Sequence, residues 1–224
     1  MSFSEQLAVS CGEKWERMHT HPFVKEIGLG TLPKDKYRFY LEQDYIYLIE
    51  FCRLLGLLAS KAPDLETMGK FKDLLALTLE YEMDLHVRTC AEFGVDRQQL
   101  EKVKPAPFCL AYTSYLLNTA GAGEFADGVV ALLPCAWGYY EVGRRLAERG
   151  LPEEQCYREW IETYSSAEMA ELVAYLRGLT DSFGAEATEA GKKRWSEIFE
   201  RSVEFEIMFW EMGYHKLTEA AGLS

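Results

Sequence analysis

Apolar residues recur at steps of three and four along nearly the whole chain, and no sustained alternating runs are joined by a hairpin turn. A strand needs period two and a helix period 3.6, so this patterning confines the chain to an all-α fold. Caps and breakers set the helix lengths. Ser2 and Glu5 have capping-box spacing for a first helix ending near His19, where His21-Pro22 interrupts. After the Gly28–Pro33 linker a long helix is expected over 34–62, stopped by Pro63. Asp64 caps a third helix reaching about Phe93, with Gly94 as a left-handed end, and a short helix near Gln98 leads to Pro105 and Pro107. A helix over 108–120, a break at Gly121-Ala-Gly123 and an apolar helix over 124–149 follow. Shorter helices over 153–163 and 166–178 precede a long one over 182–214.

A chain of 224 residues with 48% hydrophobic and 27% charged residues has enough apolar material for one core and enough charge to cover it, so a single domain spanning 1–224 is expected. The net charge of −12 opposes binding to nucleic acid, whose affinity rests on lysine and arginine at phosphates. The start Met1-Ser-Phe-Ser-Glu5 has no basic region followed by an apolar stretch, and the longest nearly charge-free run, 128–140, falls short of the roughly 20 residues of a membrane span. Neither export nor a membrane is expected. The six cysteines, at 11, 52, 90, 109, 135 and 156, include no Cys-x-x-Cys pair, which suits reduced thiols in a cytoplasm.

Three places carry candidate chemistry. In Leu133-Pro134-Cys135-Ala-Trp-Gly-Tyr139, the thiol and the tyrosine share a helix face, and Pro134 is expected to bend or restart the helix just before the sulfur. A lone cysteine in an apolar run is most often core filler, so its company decides its meaning. Tyr40, Asp44, Tyr47 and Phe51 follow at steps of four, three and four, setting one carboxylate inside an aromatic stripe. Asp44 there either grips a polar heterocycle or pairs with a tyrosine hydroxyl or an arginine at a helix contact. Glu206, with Phe209, Trp210 and Tyr214, repeats the arrangement on the last helix.

Two carboxylates can hold opposite edges of one ring, one orienting it while the other moves a proton, and Cys135 would then be the nucleophile. Tyr112 and Tyr164 are further candidates for pocket walls. A carboxylate-bridged di-iron centre needs two Glu-x-x-His motifs, and only Glu16–His19 fits; Glu82–His86 and Glu211–His215 are spaced by four, so no metal site is expected. Gly121-Ala-Gly123 lacks the residues of a phosphate loop and reads as a helix break. The acidic run over 80–84 reads as a solvated or partner-facing helix surface.

Taken in order, His21-Pro-Phe23, Gly30-Thr-Leu-Pro33, Tyr40-Leu-Glu-Gln-Asp44-Tyr-Ile-Tyr47, Pro134-Cys135 with Tyr139, and Glu206 before Phe209-Trp210 resemble the thiaminase II (TenA) family nearly end to end. That resemblance implies a single-domain helical bundle of the haem oxygenase-like type, assembled as a homotetramer and without haem, metal or other cofactor. It implies hydrolysis of 4-amino-5-aminomethyl-2-methylpyrimidine, or of thiamin, to 4-amino-5-hydroxymethyl-2-methylpyrimidine, with salvage of the aminopyrimidine preferred to thiamin degradation. Carried over by motif, Cys135 is the nucleophile, Glu206 the acid and base at a ring nitrogen, and Asp44 the anchor of the amino group and adjacent nitrogen. Tyr47, Tyr112, Tyr139 and Tyr164 line the pocket. Two other readings keep the helical scaffold: a non-catalytic pyrimidine-binding protein, and a metal-dependent oxidase. How the thiol ionises is a separate question; amide groups exposed at a helix restart by Pro134 are one expectation.

Overall fold

The structure, a computed structural model, describes residues 1–218, and every regular element among them is a helix. Helix α1 (Phe3–Ser10) opens on the expected capping box, with both reciprocal bonds between Ser2 and Glu5 formed. It stops earlier than expected, because Gly12 adopts φ 52° and the chain restarts as α2 (Glu13–His19). His21 caps α3 (Pro22–Gly28), its Nδ1 accepting from the Phe23 N–H at 3.1 Å. The long α4 (Lys34–Lys61) ends just ahead of Pro63, and Asp64 caps α5 (Leu65–Leu77) by accepting from the Thr67 N–H at 2.8 Å.

The expected third helix is not continuous. Thr78–Glu82 widen into a π-helical turn before α6 (Met83–Glu92) resumes, and Gly94 ends it at φ 76°. An extra residue in a turn rotates all that follows by about 100° relative to an unbroken helix, so this turn sets the direction of every α6 side chain. A second capping box, Asp96 with Gln99, starts α7 (Arg97–Leu100), and proline at the first position starts α8 (Pro107–Ala122).

Helix α9 (Phe125–Arg149) runs without a break through Pro134. The expected restart before Cys135 is therefore absent. Pro134 has no N–H for the Val130 carbonyl, but residues 129–133 are fully buried or nearly so, and their packing holds the helix across the missing bond. No new helix N-terminus faces the thiol. After α10 (Gln155–Tyr164), helix α11 (Ala167–Glu186) continues beyond 178, with buried Thr180 and with Gly184 set close against the Phe3 ring of α1. The last helix, α12 (Glu189–His215), accordingly begins later than Ser182.

The chain groups into two compact units: Met1–Leu32 with Val129–Trp210, and Pro33–Gly128 with the chain from Glu211. In the first unit, close approach is built into α9. A Cβ on Gly138 would lie 1.8 Å from Met18 Cε, and one on Gly143 would lie 2.7 Å from the Tyr164 carbonyl carbon. Any larger residue at Gly143 pushes on the backbone that carries Tyr164. In the second unit α4 packs against α5, α6 and α8, burying Leu54, Leu55 and Leu58. Lys61 closes the end of α8, its Nζ donating to the Ala120, Gly121 and Gly123 carbonyls at 2.6, 2.7 and 2.7 Å. No helix among the described residues is long and apolar enough to cross a membrane.

Candidate active site

In the second unit the aromatic stripe on α4 folds inward as its spacing requires. Tyr40, Asp44 and Tyr47 are at most 5% exposed, Tyr47 stacks on Phe51 at 6.0 Å between ring centroids, and it meets Tyr112 of α8 at 5.4 Å. The approach of α8 is fixed by Gln43, which accepts from the Ala106 N–H at 2.7 Å and donates to the Lys104 carbonyl at 3.2 Å. One buried amide thus ties down the segment that launches the helix bearing Tyr112.

Asp44 has a partner that its own helix does not disclose. Its Oδ2 lies 2.7 Å from His86 Nε2, while His86 Nδ1 lies 3.0 Å from the Glu82 carbonyl oxygen. The pairing is therefore with a histidine and not with the tyrosine or arginine considered from spacing. Burial pulls the His86 pKa down, but the Asp44 hydrogen bond and charge and the Glu82 charge outweigh it, and the net shift is upward. Half-buried Glu82 is pushed up to about 7, first by desolvation, with Asp44 adding to the rise and His86 opposing it. One member of the acidic run read as a solvated or partner-facing surface, Glu82, thus lies close enough to the buried His86 for their charges to interact.

In the first unit Tyr139 is the hub of a ring cluster. Its ring centroid lies 4.8 Å from Tyr164, 4.9 Å from Trp210 and 5.9 Å from Trp160, and Phe23 stacks on Trp210 at 5.3 Å. Cys135 precedes Tyr139 by one turn on α9, and Glu206 precedes Trp210 by one turn on α12. The Tyr139–Trp210 contact thus joins the helix that carries the thiol to the helix that carries the carboxylate. Glu206 is 2% exposed, a costly place for a carboxyl group outside a functional or hydrogen-bonded role.

Cys135 also differs from the other cysteines. All six are thiols, and it alone is partly accessible while the rest are buried. Burial is the main cause that pushes Cys11, Cys90 and Cys109 up to about 12 and Cys52 up to about 11, which leaves them protonated and unreactive near neutrality.

The seven residues singled out from the sequence thus fall into two sets: Asp44, Tyr47 and Tyr112 in the second unit, and Cys135, Tyr139, Tyr164 and Glu206 in the first. Sequence reasoning missed His86, Glu82 and Trp160. The Glu82-to-His86 spacing is visible, but as a mismatch to a metal motif, and nothing local announces that His86 meets Asp44.

Residues 10–216 match the family model described as TENA/THI-4/PQQC. An aminopyrimidine aminohydrolase of Halalkalibacterium halodurans is 40% identical over 219 residues, which cover 96% of this chain and 97% of that protein. A solved TenA homologue from P. horikoshii is similar with a TM-score of 0.89 and 31% identity, covering 96% of this chain and 99% of its own. A domain with a heme oxygenase-like fold from Shewanella denitrificans has a TM-score of 0.72 at 14% identity, covers 95% of this chain and 92% of its own, and bears on the fold alone.

Proposed function

The chain belongs to the TENA/THI-4/PQQC family, and from that membership we propose that it is an aminopyrimidine aminohydrolase, or thiaminase II. It hydrolyses 4-amino-5-aminomethyl-2-methylpyrimidine to the hydroxymethylpyrimidine and ammonia, with thiamin as a second substrate, in thiamin salvage. The observation that carries the reading is the company of Cys135: the accessible thiol stands one turn from Tyr139, whose ring packs on Trp210, one turn from buried Glu206.

An aminopyrimidine is a poor electrophile until a ring nitrogen is protonated or strongly hydrogen-bonded, and Glu206 supplies that activation. The Cys135 thiolate adds to the ring, and the electron pair expels ammonia from the side methylene. Water adds in its place, and the thiolate leaves as the ring is restored. Asp44 holds the exocyclic amino group and adjacent nitrogen, and Tyr47, Tyr112, Tyr139 and Tyr164 supply the flat walls against which the ring stacks. On this reading residues 1–224 act as one catalytic domain, assembled as a homotetramer in the cytoplasm. The carboxylates and thiol suffice for this route without a metal or organic cofactor.

The test is turnover. Purified protein under reducing conditions is expected to release ammonia and hydroxymethylpyrimidine from the aminopyrimidine with a higher kcat/KM than it releases thiazole from thiamin. Binding of the aminopyrimidine without product, with the fold intact, would favour the non-catalytic reading and overturn the proposal.

A further inference from the structure

His86 has no place in the mechanism above, yet it is the only side chain shown bonded to the Asp44 carboxylate among the described residues. It is 6% exposed, and both ring nitrogens face oxygens: the Glu82 carbonyl at Nδ1 and Asp44 Oδ2 at Nε2. A carbonyl oxygen carries no proton, so Nδ1 must donate. With Asp44 ionised, Nε2 donates as well and the ring is an imidazolium; the only other arrangement puts the same proton on Asp44 Oδ2. Either way one proton lies between the two groups, and the carboxyl group is fixed in orientation by a bond to a rigid ring.

The backbone is arranged for this contact. The π-helical turn at Thr78–Glu82 immediately precedes α6, and it supplies the carbonyl that orients the imidazole. Removing its extra residue would swing His86 by about 100° away from Asp44. Isolated π turns of this kind are often found where a side chain must be aimed. The upward net shift of the His86 pKa agrees with the charged ring.

We propose that His86 is a positioning residue for Asp44, which orients the carboxylate so that it recognises the 4-amino edge of the pyrimidine. This rests on the functional reading above, in which Asp44 grips that edge. The amino group donates to a carboxylate whose direction His86 sets, so the selectivity for an aminated ring is a property of the pair and not of Asp44 alone.

The experiment compares binding of two product-like ligands by calorimetry, 5-hydroxymethyl-2-methylpyrimidine with and without the 4-amino group, alongside turnover of the aminomethyl substrate. A hydrogen bond to a charged group corresponds to about 10- to 100-fold preference for the amino ligand in the unaltered protein. His86→Leu is expected to reduce this preference to below about threefold, and His86→Gln, which keeps an N–H donor toward Asp44, to retain most of it. Because His86→Leu leaves a buried carboxylate without its donor, the Asp44→Asn and Asp44→Asn/His86→Leu proteins are measured too; their preferences are expected to be equally low. A merely structural histidine would not move the ratio between two ligands that differ in one amino group. Unchanged preference in folded His86→Leu, with normal turnover by the unaltered protein, overturns the positioning role and leaves the hydrolase reading standing. Absence of both turnover and preference in the unaltered protein overturns both.

Discussion

His19 in the first unit and His86 in the second are built alike and end in opposite electrostatic states. Both are buried, and in both Nδ1 meets the backbone carbonyl four residues earlier, at 2.6 Å from Trp15 O and 3.0 Å from Glu82 O. They differ at Nε2. That atom of His19 is buried with no hydrogen-bond partner, whereas that of His86 lies 2.7 Å from Asp44. Burial, helped by the nearby Arg145 charge, drives His19 down to about 4, whereas Asp44 and Glu82 lift His86 above its usual value despite burial. An identical local motif therefore says nothing about charge; the residue met across the unit decides it.

The largest effect should come from making the two alike. Asp44→Ala strips His86 of its partner, and loss of one member of a buried pair costs about 3–5 kcal/mol, to be read from urea unfolding. The His86 titration, followed by NMR, should then fall toward that of His19. A His86 pKa unchanged by Asp44→Ala would show that the contrast has another origin.

The second effect lies at His19. Its folded pKa is about 4 against 6.5 for the free group, so the unfolded chain takes up a proton there while the folded one does not. Stability is accordingly lost as pH falls from about 6.5 to 4, by about 3 kcal/mol in total. In His19→Gln that share of the acid sensitivity should vanish from the pH dependence of the unfolding midpoint. His86 has the reverse sign: its raised pKa contributes stability that is complete below the ordinary histidine value and disappears as pH rises through the folded one.

Smaller changes should follow at the neighbours. Glu82, pushed up to about 7, stays protonated in the fold where the unfolded chain has ionised, so it loses the protein stability as pH climbs from 4.5 toward 7. Glu82→Gln should flatten that segment, by less than the His19 effect because Glu82 is only half-buried. Least of all, Arg145→Met removes a charge that disfavours protonated His19 and should raise its NMR titration slightly; a fall would contradict the assigned cause.

The helical class was legible throughout because the 3.6-residue period and the caps at Ser2 and Asp64 are local signals. The burial of Asp44 and Glu206 was legible because each carboxylate falls within an aromatic stripe at helical spacing, whereas Cys135, ordinary filler by itself, stood out only by its company. The exceptions are interactions between distant parts of the chain. Pro134 carries a helix-breaking signal that the buried residues around it override, and Gly12 breaks a helix whose apolar pattern continues past it. The π turn leaves no mark in the period of the acidic run, and the Asp44–His86 bond spans 42 residues. A motif search reads Glu82 and His86 as a failed metal pair, while the fold uses them to aim a carboxylate.

The central claim, that a cysteine on α9 attacks an aminopyrimidine, is tested most directly by ammonia release from 4-amino-5-aminomethyl-2-methylpyrimidine by Cys135→Ala beside the unaltered enzyme, under reducing conditions. The account expects kcat to fall by at least about a thousandfold with the unfolding midpoint little changed. A Cys135→Ala protein that releases ammonia at the unaltered rate would contradict it.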